Sequence, residues 1–277
     1  VQLLGAEVTM PGMGMGVVGA AIGTVSAELV AASITMYILC FRSKELSLRI
    51  DTGRFLPTWG VVKRALHISL PMGLQQTIMC SAYVMTTIII APLGTFAIAA
   101  NSFGVIVESL CYMPGYGIAD AATTLVGQSI GAGRHELMKR FAWLSVGLGV
   151  TVMAVMGVVM YVGAPVAMAM MTPAEEVRRL GVEVLRIEAF AEPMFAAAIV
   201  SYGVFVGAAK TLVPSIMNLV SIWGVRISLA ALLAPSMGLR GVWIAMCIEL
   251  CFRGFIFLVK LKFWNIQTSC NHYGKDQ

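Results

Sequence analysis

Seven stretches of this chain are predominantly apolar over more than twenty residues, at roughly 15–41, 66–91, 96–127, 142–163, 182–207, 212–235 and 239–261. About 20 such residues are what an α-helix needs to cross a bilayer. Within lipid only helices and closed barrels satisfy every backbone donor and acceptor. No period-2 alternation supports a barrel. Only 12% of the residues are charged, against about 25% in a soluble domain. The fold class is therefore all-α: a polytopic membrane helical bundle of about seven transmembrane helices.

The net charge of +5 is distributed as a membrane protein distributes it, and does not point to nucleic acid. Thirteen Lys and Arg lie in the connections near 42–64, 128–140 and 208–212 and in the tail after 259. Three, Arg178, Arg179 and Arg240, lie in the connections near 92–95, 172–181 and 236–240. Seven spans place the first group on one side and the second on the other. Lys and Arg in short loops mark the cytoplasmic side. The expectation is a multi-pass protein of the cytoplasmic membrane with its basic loops and C-terminus inside.

Several classes of function find no support. The six cysteines (Cys40, Cys80, Cys111, Cys247, Cys251, Cys270) show no zinc-type spacing and read as small apolar residues. His67, His135 and His272 fall at a span entrance, in a loop and in the tail, and form no Ser–His constellation of an intramembrane protease. The glycines at 127, 131 and 133 are not a phosphate loop, because no Lys-Ser/Thr follows; they read as close helix approaches and a turn before Arg134. The chain reads as no enzyme and as needing no cofactor. No signal peptide opens it, and its start at Val1, directly before a span, reads as a start in mid-protein.

The first and last spans resemble each other: Gly19-x-x-Ile22 precedes Glu28-Leu29, and Gly241-x-x-Ile244 precedes Glu249-Leu250. Transporters are often built from two such halves. The expected organisation is then residues 1–41 as the last helix of an earlier, truncated N-terminal lobe and 42–65 as a cytoplasmic linker. Residues 66–262 form a six-helix lobe, and 263–277 a cytoplasmic tail.

Polar groups inside the spans are the candidates for chemistry, because lipid penalises them; a charge at the bilayer centre costs roughly 2.5–3.5 kcal/mol on insertion scales. The run 95–133 holds Glu108, a Pro114-Gly115 pair expected to break the helix, and Asp120. Glu188 and Glu192 are four residues apart and expected on one helix face, and Pro193 loosens the helix just after them. Glu188 reads either as a functional acid or as an interfacial residue paired with Arg186. Two acids so close in a low dielectric cannot both stay ionised without a cation nearby. Glu249 and Arg253 are spaced as an intrahelical pair. Arg226 must point at protein or a cavity, and Gln75, Gln76 and Asn101 either line that cavity or hold helices together.

Residues 107–133, VESLCYMPGYGIADAATTLVGQSIGAG, resemble the eighth helix and following turn of the MATE (multidrug and toxic compound extrusion) family. His67 to Gln76 resembles the opening of the seventh helix, and Leu185-Arg186-Ile187 through Glu192-Pro193 the tenth. Trp223 to Arg226 resembles the eleventh, and Gly241-Val242-Trp243 with Arg253-Gly254 the twelfth. The family's usual Gly-Ala-Gly-Asp-Thr after the tenth helix is here Gly207-Ala208-Ala209-Lys210-Thr211, and Asp120 is not typical of its position. The resemblance implies an antiporter coupled to H⁺ or Na⁺ that exports organic cations and drugs by alternating access, working with a lobe this chain lacks. It implies ion and substrate binding at Glu108 and Glu192, with Na⁺ held there as the one metal option; Glu188 and Asp120 are candidates by their place in the spans. A lipid-linked oligosaccharide flippase of related fold is the alternative; more acids than bases in the spans favour cationic cargo.

Overall fold

The computed structural model describes residues 2–3, 6–7, 16–42 and 58–264. The linker proposed at 42–65 and the tail at 263–277 fall mostly outside the described residues. Two compact units are distinct, Val1–Arg64 and Ala65–Gln277. The first contains a two-residue antiparallel pairing of β1 (Gln2–Leu3) with β2 (Ala6–Glu7) and the apolar helix α1 (Gly16–Tyr37), continued by a π-helical turn, Ile38–Arg42.

The second unit is an all-helical bundle. Its described elements are α2 (Trp59–Ile90, which begins before the unit boundary), α3 (Thr95–Gly131), α4 (His135–Met171), α5 (Glu175–Glu188) and α6 (Glu192–Gly207). They continue as α7 (Leu212–Val220), a π-helical segment Ser221–Ile227, α8 (Ser228–Met237) and α9 (Leu239–Lys262). By length and apolar character, five helices among the described residues can cross a membrane, and six if the bent pair α5–α6 counts as one. The apolar part of α1, Ala21–Tyr37, is shorter than these. Helices α3 and α4, at 37 residues each, run to about 55 Å and exceed the roughly 30 Å hydrocarbon core.

Three expectations change. First, the break at Pro114-Gly115 is absent: α3 runs through Pro114 as one helix. Gly115 is there for space, since a Cβ would stand 2.8 Å from the Ile199 side chain of α6 and 3.1 Å from Met153 of α4. Second, the span at 182–207 is two helices meeting at 60° across the turn 189–191. Helix α5 is amphipathic, burying Val177, Gly181, Val184, Leu185 and Glu188 at steps of three and four. Helix α6 is apolar on every side and sits inside the unit. Third, the span at 212–235 contains seven π-helical residues.

Small residues let α6 be wrapped. Gly203 lies against the Ala119 carbonyl of α3, Gly207 against the Thr123 carbonyl, and Gly254 of α9 against the Met194 carbonyl. Such close approach is how helices associate where lipid removes the hydrophobic contribution. The Thr123 hydroxyl adds a bridge, 2.8 Å from the Gly203 carbonyl. Of the glycines before Arg134, Gly127 faces the Gly207 carbonyl, Gly131 has open space and Gly133 makes the turn at φ 68°.

Candidate functional site

Glu108 lies on the buried face of α3, whose other members (Ala100, Gly104, Val107, Cys111, Gly115) are small or apolar. It is 5% exposed. Tyr112 and Tyr116 follow at successive turns of the same helix. With Tyr83 of α2, Phe195 of α6, Arg226 and Arg253, Glu108 lines a cavity of about 70 Å³. That is room for a few waters or a small cation, well under the roughly 300 Å³ where drug-sized pockets begin. Tyr112 packs edge-on against Tyr116 and Phe195, at 5.5 and 5.7 Å between ring centres.

The bend between α5 and α6 carries the second feature. Glu188 ends α5 and Glu192 opens α6, joined by the Glu188 carbonyl accepting from Ala191 N–H at 2.8 Å. The two acids therefore stand in different helices rather than on one face. Pro193 fits the first turn of α6, where its missing donor is not needed. Gly157 of α4 makes room: a Cβ there would meet the Ala189 carbonyl at 2.8 Å and the Glu192 side chain at 3.3 Å. Both carboxyls are 1% exposed, and none of their four oxygens has a hydrogen-bond partner among the described residues. Arg186 does not pair with Glu188; it is exposed and stacks over the Tyr161 ring at 5.2 Å. Both acids interact electrostatically with Glu108, which in turn feels Arg226 and Arg253.

A third group holds Arg253, which lines the cavity. The Ser221 hydroxyl donates to Glu249 Oε1 at 2.6 Å, and Arg253 Nε approaches the same oxygen at 3.1 Å. The intrahelical Glu249–Arg253 pair expected from its spacing is present. The Arg253 guanidinium lies over the Phe195 ring at 5.5 Å. Ser221 and Arg226 both belong to the π-helical segment, a deviation found frequently at functional sites.

The remaining candidates separate. Gln75 is half-buried and accepts from the Tyr202 hydroxyl at 3.0 Å; Asn101 accepts from Trp243 Nε1–H at 3.1 Å. Both hold helices together. Gln76 and Asp120 are exposed and do not line the cavity around Glu108. Among the described residues no three His, Cys, Asp or Glu gather as a metal site. Sequence reasoning did not single out the tyrosines or Ser221. The tyrosines had a legible signal, since Glu108, Tyr112 and Tyr116 are spaced four apart; Ser221 had none.

The comparisons with known proteins place this multi-pass membrane bundle in a family. The chain belongs to the MatE family, whose model matches residues 71–232. It is 28% identical over 250 residues to a probable multidrug resistance protein NorM of Thermotoga maritima, covering 88% of this chain and 53% of that relative. A probable multidrug resistance protein NorM of Xylella fastidiosa is 29% identical over 238 residues, with 85% and 50% covered. The chain thus spans about half the length of the curated relatives it matches. Two solved structures share the fold over 90% of this chain and 56% of their own. They are a MOP superfamily transporter from Pyrococcus furiosus (TM-score 0.78, 20% identical) and the Vibrio cholerae MATE transporter VcmN (TM-score 0.78, 19% identical).

Proposed function

We propose that this chain is one lobe, 66–262, with a preceding helix, of a multidrug exporter that exchanges organic cations for H⁺ or Na⁺ across the cytoplasmic membrane. The observation that carries this is the pair of buried carboxyls at the α5–α6 bend, Glu188 and Glu192, with no hydrogen-bond partner among the described residues and electrostatically linked to cavity-lining Glu108. A bare carboxylate in such a place costs several kcal/mol, so the interior calls for a cation. A proton or sodium ion and an organic cation supply that charge in turn. Each displaces the other, and each favours a different opening of the two-lobed protein. The family membership and the resemblance to NorM proteins support the substrate class.

The test is efflux by the full-length natural protein in liposomes, with proton and sodium gradients imposed separately. Glu108→Gln should cut gradient-driven efflux at least tenfold while insertion is unchanged, and Glu192→Gln should behave alike. Undiminished efflux by both variants sinks the assignment.

A further inference from the structure

Arg226 is a cavity-lining cation that no ion pair matches among the described residues. Arg253 is matched by Glu249 at 3.1 Å. No ion pair reaches Arg226 among the described residues. Its Nη2 donates to the Met246 sulfur at 2.8 Å, a weak acceptor, and its guanidinium stands over the Tyr83 ring at 5.9 Å. Its Nε is buried without a partner. A planar guanidinium with spare donors inside a bundle is built to take an oxyanion, and an aromatic wall beside it suits a ring attached to that oxyanion. The cavity volume admits the charged end of a ligand only. Tyr83 and Tyr116, 53% and 44% exposed, form a rim where an aromatic body can rest.

We infer that Arg226 is the docking point for a ligand's carboxylate or phosphate group, with the aromatic body of that ligand held by Tyr83 and Tyr116. The assignment rests on the cavity being a ligand site, and it gives Glu108 a second consequence. Glu108 lines the same cavity as Arg226, so its carboxylate opposes a ligand oxyanion there, and replacing it with an uncharged amide strengthens oxyanion binding.

The experiment uses the full-length protein in detergent and fluorescence titration with dansylglycine, which carries a free carboxylate, and with its neutral methyl ester. Tetraphenylphosphonium serves as the cation control. The wild type should hold the acid roughly tenfold more tightly than the ester, the worth of one charge-assisted hydrogen bond. Arg226→Gln should remove that preference without weakening the ester. Glu108→Gln should tighten the acid while weakening tetraphenylphosphonium. Because Arg226→Gln could misfold, the acid–ester ratio in the wild type and in Glu108→Gln decides independently. Equal affinity for acid and ester in the wild type, with tetraphenylphosphonium still bound, overturns the role of Arg226 and leaves the exporter reading standing. Acid preference without any tetraphenylphosphonium binding leaves Arg226 standing and overturns the cationic reading. Displacement of dansylglycine by benzoate or by phenyl phosphate supports the assignment and tells carboxylate from phosphate; displacement by neither overturns it.

Discussion

Ser221, the first residue of the π-helical segment, donates to Glu249, and that single hydroxyl shares one carboxylate oxygen with Arg253. Glu249 is fully buried and its second oxygen has no partner. Taking away the hydroxyl leaves the acid with one neighbour in a place where an unmet acceptor costs about 1–3 kcal/mol. Polar contacts between membrane helices average nearer 0.6 kcal/mol, because the separated helices find other partners. Ser221→Ala is therefore expected to cost about 1–2 kcal/mol, read as a lower thermal midpoint of the purified protein. An unchanged midpoint denies the contact any structural weight. At this scale the sequence was legible where spacing along one helix decides the contact. Glu249 and Arg253 needed only the four-residue rule. Ser221 was hidden because its partner lies 28 residues on, in another helix, where no spacing along one helix marks the contact. Glu188 and Glu192 were half legible: their burial was foreseen, their separation into two helices was not.

Among the elements, the C-terminal ends of α3 and α6 close in the same way. Arg134 N–H bonds the Ser129 carbonyl and Gly133 N–H the Ile130 carbonyl, both at 2.9 Å. After α6, Lys210 N–H bonds the Phe205 carbonyl at 2.9 Å and Ala209 N–H the Val206 carbonyl at 2.8 Å. Both are Schellman caps, which want a left-handed residue at the turning position. Gly133 takes it at φ 68° without a side chain; Ala209 takes it at φ 55° with one. An L-residue in that conformation pays roughly 1 kcal/mol. Ala209→Gly should stabilise the protein by about that much, read as a higher thermal midpoint, and a lower midpoint would contradict the cap. The strain was foreshadowed by the departure from Gly-Ala-Gly at 207–209. The bend before α6 was foreshadowed too, by the switch at 188 from an amphipathic stretch with charges on one side to a helix apolar all round. A hydropathy window averages across that switch, so one span was read where two helices stand.

For the whole molecule, the bent pair sets the topology. Helix α5 has 14 residues and α6 has 16, about 21 and 24 Å, so neither alone covers a hydrocarbon core of roughly 30 Å. If the pair crosses the membrane, the connection after α6 returns to the side of the connection before α4. If the pair is re-entrant, the two lie on opposite sides. The charges choose the first: Arg134, Lys139 and Arg140 flank the start of α4 and Lys210 follows α6, and short basic loops share the cytoplasmic face. The test is single cysteines at Arg134, Lys210 and Ser236, all exposed, in a full-length background whose native cysteines are replaced by Ala. A membrane-impermeant maleimide applied to intact cells should label Ser236→Cys alone. Arg134→Cys and Lys210→Cys should react only after permeabilisation. Labelling of Lys210→Cys from outside while Arg134→Cys stays protected would make α5–α6 a re-entrant hairpin. It would also separate the buried acids at its tip from any path that crosses the bilayer, and the proposed exchange of cations would lose its route.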